Sequence, residues 1–149
     1  MLGGASADAA DFKAITDALP APTAQQRLQH SRVLWVDDNP DNNRFERRAF
    51  EALGVWVEIS TSTADALTRT QATSYDLIIS DMTREPDPQA GYTLLGKLRE
   101  RGDRTPFVIY AGSSSPERTA EARAHGAVDY LNDPAALMGL VTRLLETRP

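Results

Sequence analysis

Five short apolar runs alternate with amphipathic segments along this chain of 149 residues. Each run is about as long as a β-strand, and the segment after it carries apolar residues at the spacing of one helix face. The runs are Val33–Val36, Val55–Ile59, Leu77–Ile79, Pro106–Ala111 and Ala127–Leu131. Strict alternation of strands and helices predicts an α/β fold, with a parallel sheet, helices on both faces and right-handed crossovers.

Several residues have the properties of helix caps and helix ends. Pro40 suits a first helical turn, and Asp38 or Asn39 before it could cap that helix. Ser115 precedes a proline in the same way, and Gly126 stands where the following helix should end. These positions predict that the first helix begins at Pro40 and the fourth at Pro116.

The N-terminal part of the chain differs in composition from the rest. Residues 1–30 are rich in small residues and contain two prolines, which indicates a leader or linker before a single domain at 31–149. Three apolar residues in it have helical spacing, namely Phe12, Ile15 and Leu19. They could dock on the domain or on a partner, so this segment is expected to be partly helical.

Composition excludes several classes of function. The chain has no cysteine, which rules out disulfides, thiolate nucleophiles and cysteine-based zinc sites. Its net charge of −5 argues against nucleic acid and anionic membranes as partners, since both favour clustered Lys and Arg. No apolar stretch is long enough to span a bilayer. We expect a soluble, cytoplasmic protein.

Three carboxylates converge on one edge of the predicted sheet. Asp37 and Asp38 follow the first strand, and Asp81 follows the third, and the carboxyl ends of parallel strands share one rim. Carboxylates this close repel one another unless a cation lies among them, and oxygen ligands suit Mg²⁺ or a similar ion. The alternative is that Asp37 and Asp38 cap the first helix and that Asp81 begins a turn.

A metal beside a lone carboxylate at a strand end suits phosphoryl transfer. Asp81 would be the nucleophile that forms an aspartyl phosphate, while Asp37 and Asp38 hold the ion.

At this point the chain resembles the receiver domain of two-component response regulators, over about Arg32–Leu145. The motifs that carry the resemblance are the acidic pair in Val36–Pro40, the strand in Asp76–Met82, the helix start in Gly91–Leu95, and the fifth strand in Gly126–Leu131.

The resemblance implies a flavodoxin-like doubly wound sheet of five parallel strands in the order 2-1-3-4-5. It implies Asp81 as phosphoacceptor, and Asp37, Asp38, Asp81 and the main-chain carbonyl of Thr83 as ligands of Mg²⁺ or a similar divalent ion. It also implies a signalling role rather than an enzymatic one. A histidine kinase or a phosphotransfer protein would be the phosphodonor. A downstream protein partner or a homodimer would form through the fourth helix and fifth strand.

The chain departs from the family at two positions that sense the phosphoryl group. Ala111 stands where the family has Ser or Thr, and Asp133 stands where it has Lys. Tyr130 matches the aromatic switch, although it could be plain packing once the hydroxyl at position 111 is absent.

Other residues could compensate for these losses. Ser113, or one of the two serines after it, could supply a hydroxyl. Arg84 could bring its guanidinium to the phosphoryl oxygens, because the N–H donors of a guanidinium match such oxygens. The alternative is that Arg84 is a solvated loop residue. The loop from Thr83 to Gly91 that carries Arg84 is longer than is usual in the family.

Three functions therefore remain open from the sequence. The first is a receiver that binds a divalent ion and accepts phosphate on Asp81. The second is a phosphorylation-independent pseudo-receiver that acts as an interaction module. The third is a metal-dependent phosphoester hydrolase, for which neither an additional general acid nor a substrate pocket is visible.

Overall fold

The structure is a computed structural model that describes residues 11, 13–15 and 28–147. Five strands form one parallel sheet in the order β2-β1-β3-β4-β5, which confirms the predicted flavodoxin-like topology. The strands are β1 Arg32–Val36, β2 Trp56–Ser60, β3 Leu77–Ser80, β4 Phe107–Tyr110 and β5 Asp129–Leu131. Their carboxyl ends lie along one rim of the sheet.

Five α-helices connect or follow the strands in the described part of the chain. They are α1 Arg44–Ala52, α2 Thr63–Ala72, α3 Ala90–Glu100, α4 Pro116–Ala124 and α5 Pro134–Glu146. No described helix combines the length and the apolarity needed to cross a membrane.

Side-chain caps fix where several of these helices begin. The hydroxyl of Ser62 accepts a hydrogen bond from the main-chain N–H three residues later, at 3.0 Å, and begins α2. Ser115 caps α4 in the same way at 3.2 Å, as its position before a proline predicted. Asp133 caps α5 at 2.8 Å through the N–H of Ala136.

The predicted cap of the first helix is wrong. A 3₁₀ turn at Pro40–Asn43 follows β1, and α1 begins only at Arg44. Asn39 stands before that turn and makes no side-chain cap bond. Instead its main-chain N–H donates to Asp37 Oδ1 at 2.8 Å, so the local turn is stabilised by Asp37. Helix capping therefore does not account for the acidic pair.

Two apolar clusters cover the two faces of the sheet. On one face α1 and α5 pack against alternate residues of β1, β3 and β4, with Trp35, Phe50 and Tyr110 among the largest buried side chains. On the other face α2, α3 and α4 pack against the intervening residues, including Leu34, Ile78 and Ile109. The three inner strands, β1, β3 and β4, are continuous apolar runs because both of their faces are covered.

Two described side chains of residues 1–30, those of Ile15 and Leu28, belong to the first of these clusters. Ile15 is fully buried in the same cluster as Leu28, Phe50 and Val141. Of the alternatives left open for this segment, docking on the domain is the one that Ile15 fits. Phe12 and Leu19, which share its helical spacing, lie outside the described residues.

We expect Ile15→Val to destabilise the domain by about 1 kcal/mol, because one buried methylene group is lost. At this chain length that corresponds to a fall in Tm of roughly 2–4 °C in a thermal melt. Ile79→Val is the matched control, since Ile79 is equally buried in the same cluster. Equal stability of Ile15→Val and the parent protein, with Ile79→Val destabilised, would contradict the packing of residue 15.

Candidate functional site

The three predicted carboxylates meet at the rim of the sheet. One carboxylate oxygen from each of Asp37, Asp38 and Asp81 lies within 4.8 Å of those of the other two. Asp37 and Asp81 are buried, and Asp38 is exposed. The strand pairing explains their proximity: β1 and β3 are neighbours in register, and the N–H of Asp81 donates to the carbonyl of Val36 at 3.0 Å.

Asp37 is oriented by a residue that the sequence analysis missed. Asn43, at the end of the 3₁₀ turn, is buried and donates from Nδ2 to Asp37 Oδ2 at 3.2 Å. Arg47 in turn donates from Nε to Asn43 Oδ1 at 2.5 Å and from Nη2 to the carbonyl of Pro40 at 2.9 Å. Nothing in the sequence marks Asn43, because only the 3₁₀ turn directs its amide back to the strand end.

Arg84 is not a solvated loop residue. Its side chain is only 5% exposed, and its Nη1 contacts Asp81 Oδ1 directly. The same Nη1 donates to Ser80 Oγ at 3.0 Å, and Nη2 donates to Thr63 Oγ1 at 2.6 Å. The structure therefore places a buried guanidinium against Asp81, held by β3 on one side and α2 on the other.

The loop after β3 brings Arg84 to this place by turning back on itself. Arg84 and Asp87 exchange two main-chain hydrogen bonds, at 3.0 and 2.7 Å, in an isolated antiparallel bridge. The Glu85–Pro86 peptide bond inside the turn is cis. Asp87 also accepts a hydrogen bond from Thr93 Oγ1 on α3, at 2.7 Å. The longer loop noted in the sequence thus forms an ordered turn.

Burial governs the ionisation of the two inner carboxyls. Removal from water raises the pKa of Asp81 and of Asp37 above the ordinary range of Asp, because the charged form loses hydration. The Arg84 guanidinium lowers the pKa of Asp81, whereas the neighbouring Asp37 raises it. A cation in the cluster therefore favours the ionised, nucleophilic form of Asp81.

The carboxylate cluster fits a divalent ion. Its three oxygen donors are hard ligands at mutual distances that one ion can span, and the exposure of Asp38 leaves a side open for water ligands. Asp81 can offer Oδ2 to an ion, because Oδ1 is in contact with Arg84. Oδ2 lies 3.4 Å from the N–H of Asp38, on the side of the acidic pair.

Residues 33–145 match the sequence profile of the response regulator receiver domain. The chain belongs to this family.

Relatives of known sequence agree with this assignment. A 14.6 kDa protein of Leptolyngbya boryana is 28% identical over 118 residues, which cover 78% of this chain and 88% of that protein. The gliding motility regulatory protein of Myxococcus xanthus is 32% identical over 67% of this chain. The transcriptional regulatory protein TrcR of Mycobacterium tuberculosis is 29% identical over 76% of it. The matched regions span only 13% and 43% of those two regulators.

Solved receiver structures share the fold. The receiver domain of the Francisella response regulator 1452 superposes with a TM-score of 0.69 at 26% identity, over 80% of this chain and 98% of that one. The chemotaxis response regulator CheY4 of Vibrio cholerae gives a TM-score of 0.67 at 26% identity, over 78% and 99% of the two chains.

Two family positions in this receiver domain lack their usual chemistry, as the sequence indicated. Ala111 is buried at the end of β4 and has no hydroxyl to offer. Asp133 is exposed, and its carboxylate caps α5. An acidic residue at position 133 is therefore explained by the helix that follows it.

The serines after β4 are arranged for structure. Ser114 donates from its hydroxyl to the carbonyl of Tyr130 at 3.0 Å, and Ser115 caps α4. Ser113 is exposed. It is the serine of this loop whose hydroxyl has neither of these structural roles, so its proposed compensation for Ala111 stays a prediction.

Tyr130 of the receiver domain is buried, with 3% of its surface exposed. Its hydroxyl accepts a hydrogen bond from Arg118 Nη1 at 3.2 Å. The side chain forms part of the wall of a cavity of about 500 Å³ that also contacts Met82 and Thr83, next to the acidic cluster. Tyr130 is therefore buried against α4 and beside this cavity.

Proposed function

We propose that this receiver domain binds a divalent ion such as Mg²⁺ and accepts a phosphoryl group on Asp81, from a histidine kinase or a phosphotransfer protein. The observation that carries the proposal is the meeting of three carboxylates at the end of β3, with Asp81 fully buried among them. Output would pass to a downstream protein partner or to a second copy of the chain. The proposed role is signalling within the cytoplasm and not enzymatic turnover.

The transfer step follows from the residues at the rim. A carboxylate oxygen of Asp81 forms a bond to phosphorus while the P–N bond of a phosphohistidine breaks, and the imidazole leaves with the bonding electron pair. A divalent ion held by Asp37, Asp38 and the Thr83 carbonyl would neutralise charge on the transferring oxygens. Asn43 keeps Asp37 oriented, because its amide fixes one of the two carboxylate oxygens.

Phosphorylation can be tested with a small phosphodonor. The parent protein, incubated with acetyl phosphate and Mg²⁺, should gain the mass of one phosphoryl group in intact-protein mass spectrometry. Asp81→Asn should gain none, because the nucleophile is removed. Asp41→Asn makes the same change at an exposed carboxylate outside the cluster and should be labelled like the parent. An unlabelled parent protein would overturn the proposal.

Metal binding can be followed by the fluorescence of Trp35, which lies on β1 two residues before Asp37 and is buried against Phe50 and Tyr110. The other tryptophan, Trp56, is 53% exposed on the edge strand, so the titration is best made in a Trp56→Phe background. Mg²⁺ should change the Trp35 signal in that variant. It should not do so once Asp38→Asn is added.

The pseudo-receiver is a second candidate because of Ala111 and Asp133. Neither side chain can donate a hydrogen bond or a positive charge to a phosphoryl oxygen. A phosphorylated Asp81 would therefore find no hydroxyl at position 111 that could move towards the phosphoryl group. Amide NMR distinguishes the two functions. Under the primary proposal, an adduct on Asp81 shifts resonances of Tyr130 and α4. An interaction module would leave them unchanged and would bind its partner equally well as parent protein and as Asp81→Asn.

A further inference from the structure

Arg84 brings a positive charge to the rim from an element different from the one that the family uses. Its guanidinium comes from the loop after β3, and it lies against Asp81. We propose that Arg84 is the residue that binds the phosphoryl oxygens on Asp81. This inference rests on the proposed function, since it assigns a binding residue to the same site.

The neutral contacts of Arg84 hold the guanidinium in place independently of Asp81. Nη1 donates to Ser80 Oγ at 3.0 Å, while Nη2 donates to Thr63 Oγ1 at 2.6 Å and to the carbonyl of Ala90 at 3.2 Å. These three oxygens belong to β3, α2 and α3. When Asp81 is modified, its carboxylate changes shape and charge, but these three anchors remain. The guanidinium therefore stays beside the new phosphoryl group.

The donors of Arg84 are suited to a phosphoryl group. The three anchors occupy three of the five N–H groups of the guanidinium, which leaves the Nη1 N–H that contacts Asp81 and the Nε N–H available to phosphoryl oxygens. Its Nε is buried and has no hydrogen-bond acceptor within the described part of the chain. A buried donor without an acceptor is costly, and a phosphoryl oxygen is an acceptor that could satisfy it. The backbone of Arg84 is already fixed by its two bonds to Asp87, so little freedom is lost on binding.

Charge balance gives a second argument for this role. A phosphoryl group brings up to about two negative charges to a rim that already holds Asp37, Asp38 and Asp81. Asp133 adds no positive charge there, because it is acidic and caps α5. Arg84 is the cation that the structure places in direct contact with Asp81.

The same positive charge has the opposite effect on a metal ion. A guanidinium in contact with Asp81 Oδ1 repels a divalent cation at the neighbouring carboxylates and competes for the charge of Asp81. Removal of Arg84 should therefore weaken the binding of a phosphoryl mimic and strengthen the binding of Mg²⁺. Unfolding of the site would weaken both, so the opposite directions separate a binding role from a structural one.

The test compares the parent protein with Arg84→Gln and Arg84→Lys, all in the Trp56→Phe background. Beryllofluoride, a tetrahedral mimic of the phosphoryl group, is titrated at saturating Mg²⁺, and Mg²⁺ is titrated alone. We expect Arg84→Gln to bind beryllofluoride at least about ten-fold more weakly, which is the size of one charged hydrogen bond. It should bind Mg²⁺ several-fold more tightly. Arg84→Lys should bind both ligands with affinities between those of the parent protein and Arg84→Gln, because it keeps the charge but loses the fixed planar set of N–H donors.

Arg104→Gln controls for the change in net charge. Arg104 is exposed and precedes β4. It therefore lies at the amino ends of the strands, whereas the acidic cluster lies at their carboxyl ends. It should match the parent protein in both titrations. If Arg84→Gln does not fold, the two titrations are compared between the parent protein and Arg84→Lys.

The outcomes separate this inference from the proposed function. Equal beryllofluoride affinity in the parent protein, Arg84→Gln and Arg84→Lys would overturn the role of Arg84 and leave phosphorylation of Asp81 standing. A parent protein that binds no beryllofluoride and gains no phosphoryl mass overturns the proposed function, and the role of Arg84 with it.

Discussion

Replacing Gly91 by alanine should destabilise the domain by about 2 kcal/mol, the usual cost of forcing an extra atom into a packed interior. A Cβ at this position would lie 2.8 Å from the main-chain carbonyl oxygen of Asp81. A carbonyl cannot rotate away as a flexible side chain can, so β3 and α3 would have to separate. Chemical denaturation followed by circular dichroism measures the effect.

The same helix provides the control for this prediction. Gly96 also lies in α3, and a Cβ built there meets no atom within 4 Å. Gly96→Ala should stabilise the domain by about 0.5–1 kcal/mol, because alanine loses less backbone entropy than glycine when a helix forms. Equal effects of the two substitutions would show that the approach of Gly91 to Asp81 is not tight.

The close approach of Gly91 also concerns function. The N–H of Gly91 donates to the carbonyl of Met82 at 2.9 Å, so the start of α3 is tied to the residue after Asp81. Movement of α3 by Gly91→Ala would move the carbonyl of Ala90, which is one of the anchors of Arg84. We therefore expect weaker beryllofluoride binding in any Gly91→Ala protein that remains folded.

The sheet was predictable because its signal is local. Strands β1, β3 and β4 are covered on both faces, so their apolar runs are continuous and visible in the sequence. The first helix was misplaced for an equally local reason. Pro40 does begin a helical turn, but that turn is a 3₁₀ turn, and α1 starts four residues later, at Arg44. Proline fixes φ and does not distinguish the two kinds of helix.

The site was predictable only in part. Strand ends are fixed by topology, which is why the sequence alone places Asp37, Asp38 and Asp81 on one rim. Asn43 and Thr63 act across distances of six and 21 residues in the sequence, through hydrogen bonds that no spacing rule encodes. The sequence could not decide whether Arg84 is solvated or contacts the site, because the exposure of a loop residue depends on how the loop turns.

Asp133 caps helix α5 at a position where the family has Lys. Its carboxylate accepts the N–H of Ala136 and begins α5, a helix that buries Leu137, Val141 and Leu145 in the core. An aspartate caps a helix better than a lysine can, since the cap must accept a hydrogen bond. Stability of α5 at this position thus comes with an acidic residue at the rim, and under our proposal Arg84 provides the positive charge there.

Tyr110→Phe should destabilise the domain by about 1–3 kcal/mol near neutral pH, because it removes the hydrogen-bond donor to the buried carboxyl group of Glu46. Tyr110 ends β4, and its hydroxyl donates to Glu46 Oε2 on α1 at 2.7 Å. Both side chains are 1% exposed. Burial raises the pKa of Glu46, while the hydrogen bond from Tyr110 lowers it. Asp11 raises the pKa of Glu46 further, and Arg47 lowers it.

The sign of the pH dependence follows from that shift. A carboxyl whose pKa is higher in the folded protein than in the unfolded chain contributes stability that is fully present below the unfolded pKa. That stability is lost as the pH rises through the folded pKa. Glu46→Gln has no such loss, because its amide does not ionise and its oxygen can still accept from Tyr110. The stability of Glu46→Gln relative to the parent protein should therefore increase between about pH 5 and pH 8.

A double-mutant cycle isolates this buried pair from the other carboxyls. The parent protein, Glu46→Gln, Tyr110→Phe and the double variant are unfolded with urea at both pH values. Asp37 and Asp81 are present in all four proteins, so their titration cancels in the differences. Tyr110→Phe should cost less in the Glu46→Gln background than in the parent at about pH 8, where an unpaired charge is no longer left behind. Equal costs in the two backgrounds would mean that Glu46 is not ionised in the folded domain, and that the Glu46–Tyr110 hydrogen bond joins two neutral groups at the α1–β4 interface.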